Sequence, residues 1–100
     1  MDTYKDNSKI HGFGLFTNDY IKKGVKIIEV ADLKRFHQNL DWITAKGKMV
    51  NHSKNGNCSV NLVMDKYYLV AIRDIEPNEE LTSDYSVLEY PFKNDIQGYT

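Results

Sequence analysis

The apolar positions of this chain fall into short extended runs separated by polar turns. Residues 25–30 are rich in β-branched side chains and alternate loosely between apolar and polar, which predicts a strand. Residues 59–64 and 67–72 have the same character, and Asp65-Lys66 between them predicts a hairpin turn. Turn signals recur about every 8–12 residues with little helical pattern between them, which favours a mostly β fold.

One stretch, residues 31–47, has a helical rather than an extended pattern. Its apolar residues recur at the spacing of one helix face: Leu33, Phe36, Leu40 and Ile43. A short helix and an irregular loop both fit this stretch. Within it we expect Trp42 and His37 to be packing or surface residues rather than ligands.

Two segments of the chain, residues 18–25 and 73–82, share one pattern. Each has a polar turn, an isoleucine, a second turn that ends in Gly24 or Asn78, and then an extended piece. We interpret them as the same turn used twice rather than as the units of a repeat protein.

Composition limits the class of protein. A chain of 100 residues with 41% hydrophobic content fits one domain over residues 1–100, since domains typically have ~100–150 residues. The formal net charge of -1 does not favour nucleic acid or an anionic membrane as a direct partner.

Cys58 has no Cys or His companion at metal-ligand spacing, so we expect neither a disulfide nor a metal. No apolar run approaches the ~18 residues of a membrane span, so we expect a soluble, intracellular protein, with nucleus and cytoplasm not distinguishable.

Hydrogen-bonding side chains are concentrated in residues 48–58, called the Asn–His segment below. Asn51, His52 and Ser53 provide an amide, an imidazole and a hydroxyl in succession, and residues 55–57 are turn formers. On local composition alone a surface loop is favoured over a functional site, so the decision depends on the rest of the chain.

A second candidate segment is Gly12-Phe13-Gly14. The two glycines free the backbone for positive φ and allow a ligand to lie against main-chain N–H and C=O groups. A tight turn or bulge between strands is the alternative, because the third glycine of a dinucleotide-binding fingerprint is missing.

Four segments of the chain, taken together, resemble the SET domain both in sequence and in the order in which they occur: residues 12–16, 21–24, 48–58 and 71–85. The SET domain is the family of S-adenosylmethionine-dependent protein lysine methyltransferases. The resemblance spans roughly residues 8–86 and leaves a short tail, residues 87–100. It implies a β-clip-like fold of several small sheets with little helix. In that fold the Asn–His segment and the chain after Leu81 cross in a knot-like arrangement that forms the active site.

The resemblance also assigns roles to individual residues. S-adenosylmethionine would be bound by five of them: Gly12, Phe13, Gly14, Asn51 and His52. Tyr85 would be the catalytic tyrosine beside the methyl group, while Val50, Ile75 and Leu81 would be core residues.

The lysine channel departs from the family pattern. Where many members have aromatic residues, this chain has Val30, Val60 and Ser83, and tail residues such as Tyr90 or Phe92 are candidates to complete the channel. A narrow apolar channel would lower the lysine pKa from about 10.4, and a tyrosine hydroxyl would orient the amine for in-line transfer. Lys54 stands where many members have a zinc-binding cysteine, which again implies no metal.

The resemblance therefore predicts a lysine methyltransferase acting on a histone or another protein, with a role in chromatin. Two alternatives stay open: a degenerate SET-like domain that binds cofactor or protein without methylating, and a small β module that binds a peptide or ligand. The acidic residues of 74–84 are either a solvated face or an attraction for a basic peptide. Some compact SET proteins are dimers, so a homodimer is a further option.

Overall fold

A computed structural model describes residues 2–88 and Phe92. Its strands are β1 (Thr3–Asn7), β2 (Phe13–Thr17), β3 (Lys26–Asp32), β4 (Asn51–His52), β5 (Cys58–Val63), β6 (Lys66–Ala71) and β7 (Glu80–Ser83). The helical elements of the described part are the α-helix α1 (Leu33–His37) and two single 3₁₀ turns, Gly47–Met49 and Tyr85–Val87. The prediction of a mostly β fold with little helix is confirmed.

The strands, expected as several small sheets, join into one seven-stranded sheet in the order β1-β2-β7-β5-β6-β3, with β4 beside β7. The junction is β7, which is antiparallel to β2 but parallel to β4 and β5. The parallel register aligns Asn51 with Thr82 and Cys58 with Ser83. The Asn–His segment therefore pairs with β7 twice, first at Asn51 and His52 and again at Cys58.

The hairpin between β5 and β6 turns one residue earlier than expected. Val63 pairs with Lys66, so the turn residues are Met64 and Asp65 rather than Asp65 and Lys66. Met64 is 90% exposed and has a φ of 57°. Left-handed backbone is uncommon for a non-glycine residue, so the identity of Met64 gave no sign of this turn.

The helical stripe continues for only one turn and a half. Helix α1 begins at an Asp32 cap, whose carboxylate accepts the Lys34 N–H at 3.0 Å. After the helix Asn39 has a φ of 58°, and Ile43 forms a β-bridge with Ala31 instead of a further helical turn. The two alternatives for this stretch, a short helix and a loop, thus both occur in succession.

The two similar turns pair with each other. The N–H groups of Ile21 and Ile75 each donate to the other's carbonyl at 2.8 Å, and both side chains are buried. Gly24 and Asn78, at corresponding positions, are both left-handed with φ of 93° and 71°. One turn is therefore used twice, and the two copies stabilise one another.

The core lies along the middle of the sheet. The three residues expected there are buried: Val50, Ile75 and Leu81. Trp42 is also buried, with its ring centroid 4.8 Å from that of Phe92, whereas His37 is exposed. Among the described residues no helix has the length and apolar character needed to cross a membrane.

Leu81→Ala tests whether β7 anchors the core. Leu81 is 0% exposed, so the loss of side-chain volume should cost about 2–5 kcal/mol of unfolding free energy. The same change at Leu62, which is 51% exposed on β5, should cost less than about 0.5 kcal/mol. Urea unfolding of both variants measures the difference, and equal losses would contradict the assignment.

Candidate functional site

The first part of the site is the glycine loop, residues 8–14. It contains the turn between β1 and β2 and the first two residues of β2. The Ser8 N–H donates to the Gly12 carbonyl at 2.8 Å, and Gly12 has a φ of 47°. Gly14 is buried, and a Cβ at this position would lie 2.3 Å from Glu80 Oε2. The two glycines are therefore required for different reasons, one for backbone conformation and the other for close approach.

The amide of Asn51 holds the glycine loop against the sheet. Asn51 is 5% exposed, and its Nδ2 lies 3.1 Å from the carbonyl oxygens of both His11 and Phe13 and 2.9 Å from Glu80 Oε2. The Phe13 side chain is 55% exposed, so its main chain is the part that faces Asn51. The structure thus brings the main chain of Phe13, between the two glycines, into contact with Asn51, which lies 38 residues further along the chain.

The imidazole of His52 is fixed in one tautomer. Its Nδ1 accepts the Tyr85 N–H at 2.9 Å, so the proton of the neutral ring is on Nε2. Asp84 Oδ1 is 3.8 Å from the same Nδ1, and the hydroxyl and N–H of Ser86 hold the pKa of Asp84 below its usual value. The carboxylate is therefore charged at neutral pH beside a ring that uses Nδ1 as an acceptor.

Tyr85 is held at both ends by the Asn–His segment. Its N–H bonds to His52, its hydroxyl donates to the Val50 carbonyl, and its ring centroid lies 5.3 Å from that of His52. The Asp84 side chain caps the 3₁₀ turn that Tyr85 begins by accepting the Ser86 N–H at 2.9 Å. These contacts fix the ring and the hydroxyl oxygen in one orientation.

Tyr85 forms part of the wall of a cavity of about 100 Å³. The three predicted channel residues in the described part of the chain also line it: Val30, Val60 and Ser83. The fourth, Tyr90, lies outside the described residues, whereas Leu88 and Phe92 face the cavity. Pockets for small molecules usually measure roughly 300–1,000 Å³, so this cavity suits a single side chain rather than a nucleoside.

Two residues that matter at the site were not identified from the sequence. Asn57, expected only as a turn former, is 3% exposed; its side chain accepts the Thr82 N–H at 3.0 Å and donates to the Glu80 carbonyl at 2.8 Å. Glu80, expected within a solvated or peptide-attracting acidic group, instead contacts Asn51. The position of Glu80, one residue before Leu81 and Thr82, which are both buried, was the available signal that its side chain contacts other residues.

Cys58 and the grouping of possible metal ligands were the other candidates for a reactive centre in the part of the chain that the structure describes. Burial raises the pKa of the Cys58 thiol to about 12, so it is a neutral, packed side chain at physiological pH. Within residues 2–88 no three His, Cys, Asp or Glu side chains are grouped to hold a metal ion.

This arrangement, a parallel contact between an Asn-His strand and a strand leading into a tyrosine, defines a class of fold. The family model of the SET domain matches residues 32–86 of the chain. The chain therefore belongs to the SET domain family.

Relatives agree with this assignment. N-lysine methyltransferase KMT5A-A of Danio rerio is 51% identical over 43 residues, which is 39% of this chain and 12% of that protein. Histone-lysine N-methyltransferase set9 of Schizosaccharomyces pombe is 38% identical over 47 residues, which is 47% of this chain and 11% of that protein. The chain thus spans only a small part of the length of these relatives.

Solved structures share the fold. A candidate histone methyltransferase of Plasmodium falciparum has a TM-score of 0.68 at 20% identity, over 88% of this chain and 100% of that chain. A humanized mutant of the Chaetomium thermophilum Polycomb Repressive Complex 2 has a TM-score of 0.69 at 21% identity, over 95% of this chain and 16% of that chain.

Asn57→Ala tests the contact between the Asn–His segment and β7. It leaves the Thr82 N–H and the Glu80 carbonyl without their partner in a buried region, which should cost about 1–3 kcal/mol of unfolding free energy for each group. Asn55→Ala, an exposed change in the same segment, is the control and should cost less than about 0.5 kcal/mol. Denaturant unfolding compares the two, and a similar small loss in both would contradict the role of Asn57.

Proposed function

We propose that this chain is a protein lysine N-methyltransferase, which transfers a methyl group from S-adenosylmethionine to a lysine of a protein substrate such as a histone. One observation carries the proposal: Asn51 holds the glycine loop, the next residue, His52, accepts the Tyr85 N–H, and a cavity of side-chain size lies beside that tyrosine. Membership of the SET family, and relatives named as lysine methyltransferases, support the same reaction.

The residues of the predicted cofactor site fit S-adenosylmethionine. Apart from Gly12 and its two chain neighbours, no described residue has an atom within 4 Å of the place where a Cβ of Gly12 would be, so a ligand can reach the main chain there. The Nε2–H of His52 is a donor, because Nδ1 is occupied by the Tyr85 N–H. When bound, the cofactor would supply a methyl group on a sulfonium sulfur. The residues that would hold it are Gly12, Phe13 and Gly14 of the glycine loop, together with Asn51 and His52.

The cavity suits the lysine side chain. Its walls are mostly apolar, with Val30, Val60 and Phe92 among them. An apolar channel disfavours the charged ammonium and lowers the lysine pKa from about 10.4, so desolvation helps to produce the neutral amine. The proton that the ammonium loses would pass to solvent water, because a lysine with a lowered pKa releases it more readily.

Tyr85 would orient the amine. Its hydroxyl donates to the Val50 carbonyl, and a phenolic oxygen that donates its hydrogen can also accept an N–H, here that of the incoming amine. An amine held in this way directs its own lone pair away from the tyrosine. Such alignment of two reactants can lower a barrier by up to ~7–11 kcal/mol.

A second function is favoured by a specific feature, the small channel residues. Val30, Val60 and Ser83 occupy positions where the family resemblance predicts aromatic side chains. A domain with this channel would bind cofactor or protein without catalysing methyl transfer. Methylation of any lysine-bearing protein by the purified chain would exclude this alternative.

Cofactor binding is tested by the thermal midpoint of unfolding with S-adenosylmethionine or S-adenosylhomocysteine. A ligand that binds only the native state adds about 2.7 kcal/mol at 100 times its Kd, so the midpoint should rise by at least several degrees. ATP at the same concentration is the control and should give no rise. An unchanged midpoint at millimolar cofactor would contradict the proposed site.

Tyr85→Phe tests the catalytic role. Removing the hydroxyl takes away the acceptor that orients the amine, so turnover on a histone substrate should fall at least about 100-fold while cofactor affinity is retained. Tyr68→Phe is the matched control, because Tyr68 lies on β6 away from the cavity lining. Transfer of labelled methyl groups measures both variants. Full turnover by Tyr85→Phe would exclude this role for the hydroxyl.

A further inference from the structure

We propose that Glu80 is a positioning residue of the cofactor site, which sets the glycine loop and Asn51 in their binding arrangement before any cofactor is present. This inference rests on the proposed function, since it concerns how tightly the same site binds S-adenosylmethionine. The described hydrogen bonds of the Glu80 carboxylate go to Ser8 and Asn51, whereas Tyr85 is held by His52 and Val50, so we expect its effect on binding rather than on the transfer step.

The Glu80 carboxylate joins two segments that are far apart in sequence. Ser8 Oγ lies 2.8 Å from Oε1 and 2.9 Å from Oε2, and the Asn51 amide donates to Oε2 at 2.9 Å. Ser8 Oγ in turn accepts the Ile10 N–H at 2.9 Å. A continuous series of hydrogen bonds therefore runs from the main chain of the glycine loop through the carboxylate to Asn51.

Each part of this series constrains the surface that would face the cofactor. Asn51 also reaches the carbonyls of His11 and Phe13, so the position of its amide determines where the loop backbone lies. Gly14 leaves the space that the carboxylate occupies, because a Cβ there would be 2.3 Å from Oε2. Hydrogen bonds to a charged acceptor are stronger than neutral ones, which suits a carboxylate to this position.

The neighbouring Glu79 provides a matched control. Its carboxylate bonds to the Arg73 guanidinium at 2.9 Å and to the Glu76 N–H at 2.6 Å, and neither partner belongs to the glycine loop or to the Asn–His segment. The bond from Arg73 holds the pKa of Glu79 below its usual value. Glu79 therefore stabilises the turn before β7, whereas Glu80 faces the predicted cofactor site.

The experiment is titration calorimetry of S-adenosylhomocysteine with the full chain and three variants: Glu80→Ala, Glu80→Gln and Glu79→Ala. Loss of the Glu80 contacts should raise the Kd about 10- to 100-fold. Glu80→Gln should give a smaller increase, because the glutamine oxygen still accepts from Asn51 while its amide donates to Ser8 Oγ. Glu79→Ala should lower the thermal midpoint but leave the Kd within about twofold.

A kinetic split separates positioning from simple destabilisation. In Glu80→Ala the KM for S-adenosylmethionine should rise about as much as the Kd, while kcat at saturating cofactor stays within a few-fold, since Tyr85 is held by His52 and Val50. If Glu80→Ala does not fold, the same comparison of Kd, KM and kcat is made with Ser8→Ala and Glu80→Gln.

The failure of this inference differs from the failure of the proposed function. An unsubstituted chain that binds, together with a Glu80→Ala variant that binds equally well, would overturn the role of Glu80 alone. Equal weakening in Glu79→Ala and Glu80→Ala would overturn it as well, because the effect would then be general instability. No binding by the unsubstituted chain would overturn both.

Discussion

The structure depends on the parallel contact between β7 and the Asn–His segment. Parallel strands cannot be joined by a tight turn, so this contact needs the intervening β5–β6 hairpin and forms between residues distant in sequence. Asn57 reinforces it by presenting an amide to the backbone of β7, and Gly56 allows the close approach because a Cβ would lie 2.9 Å from Ser83 Cα. Without this contact Asn51 would lose its position beside Glu80, and Tyr85 would lose its position beside His52.

The contact divides the site into two halves with separate supports. On one side His52 and Val50 hold Tyr85 through its N–H and its hydroxyl. On the other side Asn51 and Glu80 hold the glycine loop. Because β4 carries both Asn51 and His52 in succession, and successive strand residues point to opposite faces, one two-residue strand serves both halves.

The residues predicted to form the channel are small, and an aromatic side chain from further along the chain lines the same cavity. Val30 and Ser83 leave more room than aromatic side chains would, yet the cavity measures only about 100 Å³. Phe92 fills part of that room, and its ring packs 4.8 Å from Trp42 and 4.6 Å from Tyr67, centroid to centroid. Among the described residues, Phe92 therefore supplies an aromatic wall of the cavity and is itself packed against two other rings.

The sequence by itself determined the mostly β class, which depends on local periodicity, and the four segments that indicate the SET family, which depend on residue types in order. The buried positions Val50, Ile75 and Leu81 followed from that family resemblance. Only the tertiary structure decided the turn at Met64, the bridge formed by Ile43 and the partners of Glu80. Local pattern cannot indicate them, since a hydrogen bond across 72 residues, as between Ser8 and Glu80, leaves no period in either segment. A buried amide or carboxylate is identified only when the group that satisfies it is seen beside it.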